Sequence, residues 1–149
     1  MRDDEWLKEK LEQIWVSFFP DVKRGNRVVI KFKGRSRDRF GYIKKVGDNT
    51  LIVINSLFRD ERVPDFIIYN TIVHELVHYM HGFQSPLERK HKYPHKGGVV
   101  DRELRKRGFN DLLLKEKEWA KNEWGELYKE MRYPKHKFLT GLFKKELLE

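Results

Sequence analysis

One stretch of this sequence, NTIVHELVHYMHG at Asn70–Gly82, constrains the fold more than any other. A proline before it and the glycine at its end are typical helix boundaries, and they predict a helix over Pro64–His81. The apolar residues of this segment recur at helical spacing, so we expect one broad face to pack on the core. They are Ile68, Ile72, Val73, Leu76, Val77 and Met80.

The same helix carries the pattern H-E-x-x-H at His74, Glu75 and His78. Residues four apart on a helix share a face and lie about 6 Å apart along its axis, so the two imidazoles can turn onto one metal ion. Glu75 lies about 100° round the helix, within reach of a water on that ion. The pattern is typical of zinc peptidases. Because both histidines point away from the centre of the apolar face, we expect them on the less buried side, in a cleft.

Composition limits the kind of site that can form. The 149 residues fit one domain with a proper core. There are no cysteines, which excludes disulfides, thiolate metal sites and cysteine nucleophiles, so His, Asp or Glu must hold any metal. The charged N-terminus has no signal-peptide apolar run, and we find no membrane-spanning apolar stretch. These observations favour a cytoplasmic protein without a membrane partner.

The formal net charge of +9 favours polyanion partners such as DNA or other nucleic acid. A solvated, highly charged surface would give the same charge. Alternate residues on a strand share a face, so the densest basic run predicts either a basic binding face or a protected strand edge. That run comprises Lys31, Lys33, Arg35, Arg37 and Arg39.

The elements before the motif helix predict a helix and a small sheet. Helical spacing predicts a helix over Asp3–Phe19, ended by Pro20. Three segments read as strands, and their short connections predict an antiparallel meander. The strands are Arg27–Lys33, Phe40–Ile43 and Thr50–Asn55.

The elements after the motif helix predict a long loop and further helices. The loop covers Gly82–Gly98, and long loops in compact domains are often functional. The predicted helices are Asp101–Arg107, Asp111–Arg132 and Phe138–Leu148. The expected fold class is α+β, with an N-terminal helix, a three-stranded mainly antiparallel sheet, the H-E-x-x-H helix and C-terminal helices. We expect a single domain, with a core over about residues 6–108 and a helical extension over 109–149.

A catalytic zinc ion usually has three protein ligands and one open position. His81 lies seven residues from His74, about 10.5 Å along the helix axis, so both cannot reach one ion with His78. His95 is the preferred third ligand, because the glycines that follow it let the backbone approach the site. The alternatives are His91 and the carboxylates Glu88 and Glu103.

The order of these features resembles the SprT-like, or Spartan-type, zinc metalloprotease domain. The likeness covers roughly Trp6–Gly108, and its most specific parts are INSL at Ile54–Leu57, the H-E-x-x-H pattern and the distal His95. It implies a zincin-like fold, with His74, His78 and His95 as zinc ligands and Glu75 as catalytic base. The family's His-Gly pair reads His95-Lys96-Gly97 here, with one residue inserted. Small archaeal gluzincin-like peptidases are a rival relative.

The resemblance implies a Zn²⁺-dependent endopeptidase acting on proteins or peptides. Family members include DNA-dependent proteases that degrade proteins crosslinked to DNA, which suits the basic charge. We expect Thr50–Asn55 at the cleft edge, where it could pair with an extended substrate. Candidate oxyanion stabilisers are Tyr79, Tyr93 and His81. The alternatives are a nucleic-acid-binding module with a structural or vestigial metal site, and a latent peptidase masked by its tail, Phe138–Glu149.

Overall fold

The structure is a computed structural model that describes residues 2–134. The fold is α+β, with α-helices and a three-stranded mixed sheet. The helices are α1 (Asp4–Phe18), α2 (Asp65–Met80), α3 (Val99–Lys106), α4 (Asn110–Trp119) and α5 (Gly125–Arg132). The strands are β1 (Val28–Phe32), β2 (Gly41–Val46) and β3 (Asn49–Ile54), and a 3₁₀ turn follows at Ser56–Arg59. The predicted helix Phe138–Leu148 and the predicted masking tail lie outside the described residues.

The chain divides into two compact units, Met1–Glu116 and Lys117–Glu149. The described part of the second unit is helical, and Ala120–Trp124 forms a π-helical turn ahead of α5. Trp119 and Trp124 stack within it, with ring centroids 5.4 Å apart. The single helix predicted over Asp111–Arg132 is therefore interrupted by a π-helical turn. None of the helices in residues 2–134 has the length and apolar character needed to cross a membrane.

Helix α1 begins at a side-chain cap and buries one face. The Asp3 carboxylate accepts a hydrogen bond from the Trp6 amide at 2.8 Å, which satisfies an amide that has no partner within the helix. The buried face consists of Leu7, Leu11, Ile14 and Trp15. The bounds lie one residue inside the predicted Asp3–Phe19 at each end.

The prediction that the three strands form an antiparallel meander is wrong. The strand order is β1-β3-β2, with β3 parallel to β1 and antiparallel to β2. Strands β2 and β3 do form the expected hairpin, in which Gly47 adopts a φ of +59°. Because β3 is paired on both sides, it has no free edge for a substrate, and that expectation is also wrong.

A buried asparagine holds the loop that carries the chain from β1 to β2, which lie on opposite sides of β3. The Asn55 amide nitrogen donates to the carbonyls of Ser36 and Arg39, at 2.6 and 3.0 Å. The Asn55 side-chain oxygen accepts from the Leu57 amide at 3.0 Å. Asn55 thereby fixes residues 33–40 across the end of β3. This crossing loop delivers Phe40 and the start of β2 to helix α2.

Helix α2 lies at the centre of the first unit and contacts α1, β2, β3 and α3. Because it is covered on several sides, its burial extends well beyond the apolar face. His78 is only 2% exposed and Glu75 only 4%, while His74 is half-buried. The expectation that both histidines lie on a less buried side is therefore wrong for His78.

The segment after α2 forms neither helix nor strand up to α3. Its start is attached to the sheet by Gln84, whose side-chain oxygen accepts from the Lys45 amide at 2.8 Å. The Gln84 carbonyl accepts from the Thr50 hydroxyl, also at 2.8 Å. Gln84 has a φ of +54°, which is uncommon for a residue other than glycine. These contacts make Gly82–Gly98 an anchored loop over one end of α2.

Candidate metal and catalytic site

Three imidazoles meet beside the C-terminal half of α2. The ring centroids of His74 and His78 are 4.9 Å apart, and those of His78 and His95 are 4.6 Å apart. The first two come from consecutive turns of the helix and the third from the anchored loop. The structure therefore brings together the three histidines that the sequence singled out.

The local sequence explains how His95 reaches the helix. Phe83 packs against the rings of both His78 and His95, with centroids 5.3 and 5.1 Å apart. Gly97 and Gly98 have φ values of +71° and +64°, a conformation that glycine adopts without the clash of a β-carbon. They turn the chain directly into α3.

Burial favours the neutral form of the two helix imidazoles, His74 and His78. Burial, followed by the nearby His74, His95 and His81, lowers the pKa of His78 to about 3. Burial also lowers the pKa of His74, against the opposing charge of Asp101. A neutral imidazole has a lone pair available for a metal, whereas an imidazolium has none.

The fit of these residues to a zinc ion can be tested on their donor atoms. The Nδ1 atom of His78 is buried and has no hydrogen-bond partner among the described residues. Three neutral imidazoles are a known zinc ligand set. Within residues 2–134, however, no group of three His, Cys, Asp or Glu side chains is arranged so that it could hold an ion. The site fits zinc by donor type and by the lowered pKa values of His74 and His78, although the described side chains do not form a three-ligand group as they stand.

Glu75 is a buried carboxyl group. Burial raises its pKa to about 8, against the opposing charge of Arg39. It lines a cavity of about 220 Å³ together with His74. A carboxyl group that titrates near neutral pH is suited to general acid–base chemistry.

Asp101 is a carboxylate at this candidate site that no sequence pattern singled out. It lines the cavity beside Glu75 and also a neighbouring cavity of about 210 Å³, which His74, His78 and His95 line as well. The carboxylates predicted as alternative ligands do not line these cavities. The charge of Glu103 favours the protonated forms of His81 and Arg107, and Glu88 is exposed. The sequence signal that could have pointed to Asp101 was its position in the first turn of α3, directly after Gly97 and Gly98.

His81 and His91 form a second pair, with ring centroids 4.5 Å apart. His81 is 5% exposed, and its Nδ1 atom has no hydrogen-bond partner in the described part of the chain. Neither residue lines the two cavities beside His74.

The tyrosines considered for the oxyanion also lie outside these cavities. The Tyr79 hydroxyl donates to the Asn26 side chain at 2.8 Å and accepts from the Gly25 amide at 3.0 Å. Tyr93 is 55% exposed, with the amines of Lys92 and Lys96 against its ring.

Comparison of the chain with protein-family models, curated proteins and solved structures gives no match. The likeness to SprT-like domains therefore depends on the residues described above.

Proposed function

We propose that this chain is a zinc-dependent peptidase of the SprT-like, zincin type. The observation that supports this most strongly is the meeting of His74, His78 and His95, with neighbouring ring centroids 4.9 and 4.6 Å apart. These three side chains would hold the ion, and Asp101 beside His74 is the carboxylate alternative for the third position. A bound zinc ion would polarise the substrate carbonyl and lower the pKa of a water molecule.

Glu75 is the general base in this proposal. It is one residue from His74 and lines a cavity open to a ligand. Its buried position excludes bulk water from the carboxyl group, which strengthens its interaction with any charge in the site. In the ionised form it takes a proton from the attacking water and passes it to the leaving amine.

Strand β2 is the edge that an extended peptide would pair with. Gly41 begins this strand and lines the cavity beside Glu75. The Lys45 amide points away from β3, because it donates to Gln84. Residues two apart on a strand point the same way, so the Ile43 and Gly41 amides face the same side. A peptide added there would lie along the cavity.

The first test is a peptidase assay on zinc-reconstituted protein. Glu75→Gln removes the base while preserving side-chain size, and we expect at least about a 10²-fold loss of kcat/KM. Glu118→Gln is the matched control, since Glu118 is exposed and lies on α4 outside the cavity. Equal cleavage by the wild type and Glu75→Gln would refute the mechanism.

Metal content separates binding from catalysis. We expect His78→Ala and His95→Ala to lose zinc and Glu75→Gln to retain it. His91→Ala is the matched histidine control and should retain zinc. If His95→Ala keeps stoichiometric zinc while Asp101→Asn loses it, the third ligand is the carboxylate.

A second candidate function is nucleic-acid binding through the crossing loop. Lys33, Arg35, Arg37 and Arg39 are all exposed there. Substituting Arg35 and Lys33 by Gln should weaken binding to a DNA duplex and reduce its salt dependence. Binding that is independent of salt would exclude this role.

A further inference from the structure

The cavity beside Glu75 has the size and the walls of a pocket for one side chain. Its volume of about 220 Å³ is below the range of about 300–1,000 Å³ for pockets that hold drug-sized ligands. Two apolar residues, Phe40 from the crossing loop and Leu113 from α4, form part of the wall. The polar lining comes mainly from α2, α3 and α4.

Asn70, a residue of the cavity wall, carries an acceptor without a donor. The side chain is 2% exposed, and its amide nitrogen donates to the Leu112 carbonyl at 2.8 Å. That bond fixes which end of the amide is nitrogen, so the other end is Oδ1. The Oδ1 atom is buried and has no hydrogen-bond partner among residues 2–134. A buried acceptor of this kind is destabilising until a donor reaches it.

The charge of the cavity favours a cation. Asp101 and Glu116 contribute carboxylates from two different helices, and none of the described lining residues is a lysine or arginine. Arg39 acts on Glu75 electrostatically but does not line the cavity. The lining thus combines acceptors and negative charge with an apolar wall.

We propose that this cavity is a subsite for a lysine or arginine side chain of the substrate, next to the bond that is cleaved. The aliphatic stem of such a residue packs on Phe40 and Leu113, and its head group donates to Asn70 Oδ1 near the carboxylates. This inference rests on the proposed peptidase function for its place in the reaction, although not for its ligand chemistry.

The first experiment measures binding without catalysis. Metal-free protein is titrated with N-acetyl-lysine methylamide, the arginine analogue and the norleucine analogue, and the Asn70 side-chain amide is followed by NMR. We expect saturable shifts with either cation and none with norleucine. Glu116→Lys should abolish the shifts, while Glu118→Lys on the same helix should retain them. If Glu116→Lys does not fold, Glu116→Gln should still weaken binding at least about tenfold. Equal shifts with norleucine would overturn the proposal.

The second experiment measures cleavage of matched peptides that carry lysine, arginine, norleucine or glutamate beside the scissile bond. We expect kcat/KM to favour the cationic peptides at least about tenfold over norleucine, and Glu116→Lys to prefer glutamate. Cleavage without a cationic preference would overturn the subsite and leave the peptidase function standing. Cation binding at Asn70 without any cleavage would overturn the peptidase function and leave the subsite standing.

Discussion

Glu75→Gln should stabilise the metal-free protein, by an amount that grows with pH. The Glu75 carboxyl is 4% exposed, and burial raises its pKa from 4.5 to about 8. The folded protein therefore binds this proton more tightly than the unfolded chain does. Because the pKa of Glu75 is higher in the folded protein, the contribution of the protonated carboxyl group to folding stability is fully present below pH 4.5 and is lost as pH rises through about 8. Glutamine has nearly the same shape and stays neutral, so the variant avoids this loss.

The size of the effect follows from the two pKa values. Each tenfold change in the acid dissociation constant corresponds to about 1.4 kcal/mol. The full difference between 4.5 and about 8 therefore amounts to about 5 kcal/mol of unfolding free energy above pH 8. At pH 7 the same linkage gives about 3 kcal/mol, and at pH 5 about 1 kcal/mol.

Urea unfolding in the presence of a chelator, at pH 5, 7 and 9, measures these differences. The variant should exceed the wild type in unfolding free energy at each pH, with the gap widest at pH 9. Glu118→Gln removes an exposed carboxylate from α4 and should show no such trend. A gap that stays constant with pH, or narrows as pH rises, would refute the assignment of Glu75 as a carboxyl destabilised by burial.

Three further changes test the framework around the site by thermal or urea unfolding. Arg2→Ala should lose about 3 kcal/mol of unfolding free energy, because the buried guanidinium donates to three carbonyl oxygens between Phe58 and Val63. Unchanged stability would show that water satisfies these carbonyls in place of the guanidinium. Gly41→Ala should lose about 1–3 kcal/mol, since a β-carbon there would lie 2.6 Å from a methyl group on α2; a neutral result would mean that β2 can shift. Asn55→Asp keeps the oxygen that caps the 3₁₀ turn but removes both N–H donors to the crossing loop, and should lose about 2 kcal/mol of unfolding free energy. If Asn55→Ala loses this amount and Asn55→Asp loses none, the stabilisation comes from the cap and not from the loop.

The helix and strand positions followed closely from the sequence, because periodicity and capping act locally. Helix α2 lies one residue inside the predicted range at each end, and all three strands lie near their predicted segments. The order of the strands in the sheet did not follow from the sequence. The short-connection rule favoured a meander, whereas the side-chain amide of Asn55 holds an eight-residue crossing loop, 33–40, over the end of β3. No local pattern distinguishes an asparagine that caps a turn from one that also fixes a loop.

The grouping of the candidate site residues was predictable where they share one helix and less so where the chain must fold back. His74, Glu75 and His78 follow from a spacing along α2, and the glycines pointed to His95. Asp101 and Asn70 have no comparable signal, since their importance depends on which cavity the loop and α3 enclose.

Four polar residues of α2 and its C-cap form one stripe, and this arrangement supports a binding role. Asn70, His74, His78 and His81 follow at intervals of four, four and three residues, so they lie along one side of the helix. Among the described residues, three of the four buried side-chain atoms without a hydrogen-bond partner belong to this stripe: Asn70 Oδ1, His78 Nδ1 and His81 Nδ1. Each such atom destabilises the fold by about 1–3 kcal/mol, and apolar replacements of similar shape would remove that penalty. A helix shaped by stability alone would carry apolar residues there. The stripe is explained if its ligands come from outside the chain: a donor for the oxygen at one end, and a cation for the imidazoles beside it.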